Sequence, residues 1–431
     1  MYLKGSKWSM NHRRQHFNWF RIILLSLLVA GGLYLDKYII PATPTIWEPT
    51  PTATRPAESY ITEAQTLFDQ GKLLQSIEAY RQAITINPKD PTIYIALARV
   101  QVFAGDYKDA QDSSENALLL DPGNSMANAV RAWAMDFQGN YLEAEASIKR
   151  ALELDPKNAV AHAYYAEILV DEGSDTIQQA ITESQTAQTL APNTLETHRA
   201  RGYVLEATAN YEEAVREYQA AIAINKNIAD LHLQVGINYT ALGIYDQAVQ
   251  EFTNASALDP SNPLPAYYIS RTYSTVGQFA KAMQYAQTAV DDEPTNPRYH
   301  GNLGVMDYHN ALFVDAVKEL ALAVNGGTTD KGQKVVPVQL VPGYPRIAEI
   351  YFTYAMALAK VGRCGETLQI AQLVQSTIPT DDISVGNVNQ AINTCQQNLT
   401  SSSTSLPSGA SRATPTLGTL IPELPAGTPT P

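Results

Sequence analysis

Four histidines stand at regular intervals in this chain: His162, His198, His232 and His300, with steps of 36, 34 and 68 residues. Imidazoles stacked at such a period could share a metal ion or pass protons. Neighbouring helices pack about 8–10 Å apart, which is within reach of a shared ion. A metal site also needs partners that orient each ligand. The same slot of the period holds Tyr60, Tyr94 and Tyr351, so a half-buried ring position explains all seven residues with less. Acidic pairs such as Glu212 and Glu213 fall at helix starts, where carboxylates complement the helix dipole. No phosphate-binding glycine loop, dinucleotide motif, nucleophile elbow or zinc finger occurs. The expectation is therefore no enzyme, no cofactor and no metal.

The period that places these rings is set by other residues. Prolines close successive segments at Pro88, Pro122, Pro156, Pro192, Pro260 and Pro294, mostly 34 residues apart. That length is too great for one helix and suits a helical hairpin. With the proline numbered 32 in each unit, position 15 is Gly71, Gly105, Gly139, Gly173, Gly243, Gly277 and Gly362, with Ala209 and Ala311 as exceptions. Position 8 is small throughout, from Ala64 to Ala355, and position 27 is Ala in seven units. Position 17 is aromatic in six, including Tyr107 and Phe279. A first helix, A, thus ends at a residue that accepts the left-handed conformation. A second, B, begins near position 17 and stops before the proline. Small residues at 8 and 27 allow close helix approach, and bulky residues at 17 and 24 fill the space beside them. One hairpin cannot bury these faces alone, so units must stack.

This small–Gly–aromatic–Ala–Pro pattern resembles the tetratricopeptide repeat family over residues 57–381, with units starting near 57, 91, 125, 159, 195, 229, 263, 297 and 348. The resemblance implies an all-α, right-handed superhelical solenoid of about nine helix pairs that binds peptides or protein segments along its concave face. It implies no chemistry. The fourth unit has two extra residues in its inter-helix turn. Residues 325–346 replace the end of the eighth and contain the β-prone "KVVPVQLVPG". Residues 382–399 read as a capping helix. The only cysteines, Cys364 and Cys395, fall at the same end of the last unit and its cap. Outside the cytoplasm they are expected to form a disulfide; the alternative is two buried thiols.

In this family the concave positions are 2, 5, 6, 9, 12 and 13 of helix A. Here they carry Arg99, Trp133, Tyr203, Tyr267, Tyr268, Arg271, Arg298 and Asn302, among others. Aromatic and Arg residues of this kind are enriched at binding hot spots, so these eight are the candidate peptide groove. Several could equally serve to pack one repeat on the next. Arg271 and Arg298 could instead pair with acids of the repeats such as Asp307 or Asp291. No unit combines Lys at 5 with Asn at 9, so chaperone-tail binding is not expected.

The formal net charge is −13, unevenly spread. Residues 1–40 hold six basic residues and one acid, leaving 24 basic and 42 acidic residues and a net charge of −18 beyond them. Such a body repels phosphates, which argues against nucleic acid. Residues 1–20 are basic and 21–40 apolar, about the length that crosses a bilayer. Basic residues before the run predict a single-pass signal anchor, with a cytoplasmic N-terminus and extracytoplasmic repeats at a cell membrane, as in prokaryotic anchored repeat proteins. A cleaved signal peptide and a mitochondrial presequence are the alternatives. Residues 41–56 read as a Pro/Thr-rich linker, and 400–431 as a disordered Ser/Thr/Pro-rich tail. The function expected is a scaffold that recruits unidentified protein or peptide segments in envelope assembly, secretion or complex formation. The alternatives are a non-catalytic accessory subunit of an envelope glycan enzyme or export complex, and a structural spacer without a groove ligand.

Overall fold

The structure is a computed structural model that describes residues 18–39 and 55–404. The basic residues before 18, most of the linker, and the tail from 405 lie outside the described residues. The chain divides into two compact units, 1–56 and 57–431.

In the first unit an α-helix, Trp19–Tyr34, runs into a π-helical turn, Leu35–Ile39. The stretch Trp19–Tyr38 has 20 residues, a mean hydropathy of 1.6 and none of its window buried. It is long and apolar enough to cross a membrane, and a signal sequence would have the same character.

The second unit is an array of nine helix pairs. In order these are Ala57–Asp69 with Leu73–Ile86, Pro91–Phe103 with Tyr107–Leu120, and Ser125–Asp136 with Tyr141–Leu154. Then come Ala159–Glu172 with Ile177–Leu190, Leu195–Ala207 with Tyr211–Ile224, and Ala229–Ala241 with Tyr245–Leu258. The last three are Pro263–Thr275 with Phe279–Asp292, Pro297–His309 with Phe313–Asn325, and Pro345–Lys360 with Cys364–Thr377. Helix Asp382–Thr404 closes the array.

Local chemistry fixes each boundary. Asp90, Asn124, Asn158, Thr194, Asn262 and Asn296 accept a backbone N–H from the first turn of the A helix they precede, a side-chain cap of the usual kind. Pro91, Pro263 and Pro297 occupy the first helical position, where no N–H is needed. At the other end the N–H of position 16 bonds back to the carbonyl of position 11, as in Asp106 to Gln101 at 2.9 Å and Ile244 to Tyr239 at 2.8 Å. Position 15 between them takes positive φ even where it is not glycine, at Ala209 (58°) and Ala311 (61°). In the fourth unit the two extra residues form a 3₁₀ turn, Ser174–Thr176, that replaces this closure.

Packing within a unit is a matched pair. A Cβ added at position 8 would lie 2.9 Å from the Tyr218 ring at Gly202, 2.5 Å from Phe252 at Gly236 and 2.6 Å from Leu320 at Gly304. All three partners sit at position 24 of the same unit. Where position 8 is Ala98, Ser270 or Ala355, position 24 is Ser114, Ala286 or Ala371. In these six units glycine stands opposite the large partner and a slightly larger residue opposite the small one, while the first and third units pair Ala64 with Tyr80 and Ala132 with Ile148.

Two boundaries differ from expectation. The ninth A helix begins at Pro345 rather than 348, because that proline is itself the first helical residue. The rest of the insert forms a two-residue ribbon, Gly327–Thr328 with Lys334–Val335, and then lies along the array. Val338 N–H bonds to the Ala323 carbonyl at 2.9 Å, and Tyr351 Oη donates to the Val338 carbonyl at 2.7 Å. The capping helix runs to Thr404, so the first residues assigned to the tail continue it. Val388, Ala391 and Cys395 of this helix are buried, and Cys395 is disulfide-bonded to Cys364 across 31 residues. Closing a loop of that length stabilises the end of the array by about 3–4 kcal/mol in the chain-entropy picture.

The matched pair is directly testable. Gly236→Ala should destabilise by about 1–3 kcal/mol through overpacking, outweighing the gain of about 1 kcal/mol in helix propensity. Adding Phe252→Leu should recover part of the loss. Gly386→Ala, where a Cβ meets nothing within 4 Å, should instead be neutral or stabilising. Chemical denaturation of the four proteins decides it, and a Gly236→Ala variant as stable as the parent contradicts the packing argument.

Candidate functional site

The candidate groove residues fall into two regions with different environments. Arg99, Trp133 and Tyr203 belong to units 2 to 5, where the inner face is filled by its own side chains. A run of rings passes from Phe68 to Phe103 (5.5 Å between centroids), Trp133 (5.2 Å) and Tyr164, which stacks on Trp133 at 4.3 Å. Trp133 is 1% exposed, and its Nε1–H donates to Glu167 at 2.9 Å. Arg199 pairs with the same Glu167 and with Asp230, and its guanidinium lies 4.9 Å over the Trp133 ring. Tyr203 Oη donates to Asp171 at 2.6 Å. Asp171 is also hydrogen-bonded to Asp136. Burial, with the charge of Asp171 beside it, pushes the Asp136 carboxyl up to about 9, so the two acids share a proton near neutral pH.

This face is closed as well as filled. Arg99 of the second unit pairs with Glu196 of the fifth. Asn227, after the fifth unit, donates to the Asp69 carbonyl of the first at 2.6 Å. Gly71 meets Asn227 so tightly that a Cβ there would lie 2.8 Å from its carbonyl oxygen. The first units thus curl back on the fifth, and Trp133 and Tyr164 become core, while Arg99 stays partly exposed beside a cavity of about 370 Å³ that Phe68, Tyr80, Leu195 and Asn225 also line. Trp133 in particular presents no ring surface to a partner, contrary to the sequence expectation, because the curl stacks Tyr164 and Arg199 onto it.

The histidines are paired one by one. Nδ1 of His162, His198, His232 and His300 lies 2.6–2.7 Å from Glu183, Glu217, Glu251 and Glu319, at position 23 of the same unit. Nε2 of His162, His232 and His300 faces the carbonyl of Pro156, Lys226 or Pro294, position 32 of the preceding unit, at 2.9–3.1 Å. Tyr94 uses the same slot, donating to the Pro88 carbonyl at 3.3 Å. An imidazole facing two acceptors is best satisfied when both nitrogens carry protons. Burial alone would lower the pKa of His162, His232 and His300. The carboxylate and carbonyl hydrogen bonds outweigh it and raise all three. These are staples between B helix, A helix and the preceding unit. The signal in the sequence was the Glu at position 23, which position 4 alone does not disclose.

The remaining candidates meet in one place. Tyr267, Tyr268, Arg271, Arg298 and Asn302 line an open cavity of about 440 Å³ on units 7, 8 and 9. Its opposite wall is the end of the insert, Gly343, Tyr344, Pro345 and Arg346, with Glu349 and Ile350 beyond. Tyr267 contacts Tyr268 and Tyr299 with centroids 5.4 and 5.5 Å apart. Arg271 does not pair with Asp307 or Asp291. It reaches Glu349 of unit 9 at 2.9 Å, with Asn302 Oδ1 at 3.4 Å, and Asn302 is itself buried and donates to Ser270. Arg346 shares Glu349 at 3.4 Å. Arg298, in the first turn of its helix, is exposed, and no carboxylate of the described residues forms an ion pair with it. The site is therefore a tyrosine-lined pocket with three guanidinium groups and one carboxylate. Sequence reasoning found its floor and missed its wall, since the insert's path over the groove leaves no periodic signal.

Three repeat-family models match the sequence. One described as a TPR repeat covers residues 64–102, and two described as tetratricopeptide repeats cover 95–159 and 239–303. The chain carries tetratricopeptide repeats. Comparison with curated proteins gives no match. Among solved structures, the chain is similar to human IFIT1, in a dimer with PPP-AAAA, at 17% identity and a TM-score of 0.52. That match covers 80% of this chain and 84% of that one. It is also similar to the APC/C hetero-tetramer Cut9–Hcn1 at 14% identity and a TM-score of 0.46. There 66% of this chain is covered, and it spans about half of the other, 53%. A tetratricopeptide repeat protein from Parabacteroides merdae matches at 15% identity and a TM-score of 0.39, over 58% of this chain and 98% of that one. The likeness to IFIT1 shows the fold, and repeats of this family mark the chain as a protein-interaction scaffold.

The staples give the repeat array a pH dependence. The raised histidines contribute stability that is present below their unfolded pKa and lost as pH rises through the folded one. Asp136, at about 9, and Asp307, which burial pushes up to about 7, act in the same direction, because their neutral forms belong to the fold. The melting temperature should therefore fall between pH 6 and pH 9. Replacing His162, His232 and His300 together by Gln should lower it at pH 6 and flatten the dependence. A profile that rises with pH over this window contradicts the assignment.

Proposed function

We propose that this protein is a non-catalytic scaffold, anchored in a membrane by residues 19–38, that captures an extended segment of a partner protein in the pocket of units 7 to 9. The N-terminus is cytoplasmic and the repeats lie outside, where the scaffold serves envelope assembly, secretion or complex formation. The observation that carries the reading is the contrast along the concave face. Units 1 to 6 spend most of their aromatic and charged residues on one another, and the cation beside their cavity of about 370 Å³, Arg99, is already paired with Glu196, whereas units 7 to 9 leave a tyrosine-lined cavity beside a cation with no paired carboxylate among the described residues.

The pocket suits a peptide on physical grounds. Tyrosine combines a large apolar face with a hydroxyl that bonds main-chain groups, at a low entropy cost of ordering. Arg271 is fixed by Glu349 and Asn302, so it is already oriented when a ligand arrives. Arg298 is free to take a carboxylate in two parallel hydrogen bonds.

The test uses the full chain in intact spheroplasts with a membrane-impermeant crosslinker. The wild-type chain should trap a partner, and Arg298→Glu should lose at least tenfold in recovery, about 1.4 kcal/mol, with an unchanged melting temperature because Arg298 is exposed. Failure of the crosslinker to reach the wild-type repeats overturns the topology. Equal recovery with Arg298→Glu overturns the pocket as the recognition site.

A further inference from the structure

We propose that the pocket of units 7 to 9 is one half of a two-part site, and that the other half is a cavity of about 350 Å³ on the far side of Tyr344. Together they take an extended partner segment that carries an acidic and an aliphatic side chain three positions apart. The acid sits on Arg298, and the aliphatic side chain enters the second cavity. This rests on the reading of the pocket as a peptide site and adds the subsite that makes it selective.

The first argument is continuity. Gly343, Tyr344 and Pro345 line both cavities, so the end of the insert is a wall shared between them. Gly343 takes a φ of 85°, a conformation that strains any residue with a side chain, and it leads the insert into the ninth A helix. Tyr344 is held by its backbone, since its carbonyl accepts the N–H groups of Ile347 and Ala348 at 3.0 and 3.1 Å. Its side chain is nevertheless 56% exposed. A large ring whose backbone is fixed before a partner arrives adds contact area at little entropic cost, and tyrosines so placed are enriched at binding hot spots.

The second argument is polarity. The first pocket holds three guanidinium groups against Glu349, and Arg298 forms no ion pair with a carboxylate of the described residues. No basic residue lines the second cavity. There Ala348 and Ile378 are buried, and Val341, Pro342 and Pro379 add apolar surface. Its one charged group, Asp381, is committed to the start of the capping helix: the carboxylate accepts the Ser384 N–H at 3.1 Å and the Ser384 hydroxyl at 2.8 Å. A second acid of the partner would meet Asp381 with no cation in the lining to offset the repulsion. The site thus has a cationic end and an apolar end, and the segment that fits has one acid and one aliphatic residue.

The third argument is spacing. The shared wall is a single stretch of backbone with one ring standing on it, about 10 Å across, the thickness of one packed layer. In a polyproline-type backbone, residues three apart face the same side and lie about 9 Å from each other. An acid and an aliphatic residue at that separation straddle the wall, and the two residues between them cross the Tyr344 ring.

The test uses the full chain in nanodiscs, with fluorescein-labelled peptides followed by anisotropy. The probes are "GEPPLG" and its reverse order "GLPPEG", whose prolines hold the backbone extended. At least one should bind, and replacing its Leu by Ser should weaken it at least fivefold. Val341→Asp, at an exposed position that lines only the second cavity, should weaken the Leu-bearing probe at least fivefold and leave the Ser-bearing one unchanged. Thr380→Trp, which fills the same cavity, should do likewise. Arg298→Glu should weaken either form of the probe at least tenfold, with circular dichroism confirming an intact fold in every variant. Equal affinity for the Leu and Ser probes overturns the proposal, as does a Leu probe indifferent to both Val341→Asp and Thr380→Trp. If Arg298→Glu still weakens binding in those cases, the second cavity is excluded and the peptide-site reading stands. Absence of binding by both probes also overturns the two-part site. The peptide-site reading then survives only if partner trapping depends on Arg298.

Discussion

Everything in the array depends on how closely helix A and helix B of one unit can approach. That distance is set by the residue pair at positions 8 and 24. Gly236 leaves room for Phe252, and Gly202 for Tyr218, while Ala98 and Ala355 stand opposite Ser114 and Ala371. The first and third units, with Ala64 opposite Tyr80 and Ala132 opposite Ile148, show that alanine also accommodates a large partner. Where glycine meets the ring a misplaced methylene is felt at once. Close approach within each pair lets the alanines at position 27 meet the next unit, and small rotations from unit to unit then accumulate into curvature.

Curvature is what divides the concave face. In the first six units it brings Asn227 onto Asp69 and Glu196 onto Arg99. Residues that would line a groove become a second core, with Trp133 between Tyr164 and Arg199. Charges buried there are matched, Arg199 against Glu167 and Asp230, because an unpaired charge at that depth would cost several kcal/mol. The insert after unit 8 changes the outcome downstream. Its ordered path along Ala323 and Tyr351 carries Tyr344 over the groove instead of letting another unit close it.

The legible part of this molecule is the part written in local terms. Proline 32, glycine 15 and the small residue at 8 act within one hairpin, so the starts of eight A helices and all nine B helices could be placed from spacing alone. The ninth A helix was misplaced because Pro345 looked like part of the insert rather than a helix start. The candidate groove was legible as a set of positions, but not as an environment. Whether Trp133 or Tyr267 faces a partner depends on the pitch of the whole array, to which each unit contributes a small rotation that no single residue encodes. The histidine staples fall between these cases. The ring at position 4 was visible, and its Glu at position 23 was present in the same units, yet the link is apparent only once the B helix is laid beside the A helix.

The central claim is that the aromatic run through Trp133 and Tyr164 is buried within the array while the tyrosine pocket of the last three units is open. Hydroxyl-radical footprinting of the full chain, read residue by residue by mass spectrometry, tests it most directly. Trp133 and Tyr164, at 1% and 0% exposure, should stay unmodified until the array is denatured, while Tyr344, at 56%, should be labelled in the native protein. Labelling of Trp133 in the folded chain at a rate comparable to Tyr344 would show an open groove at the third unit and contradict the account.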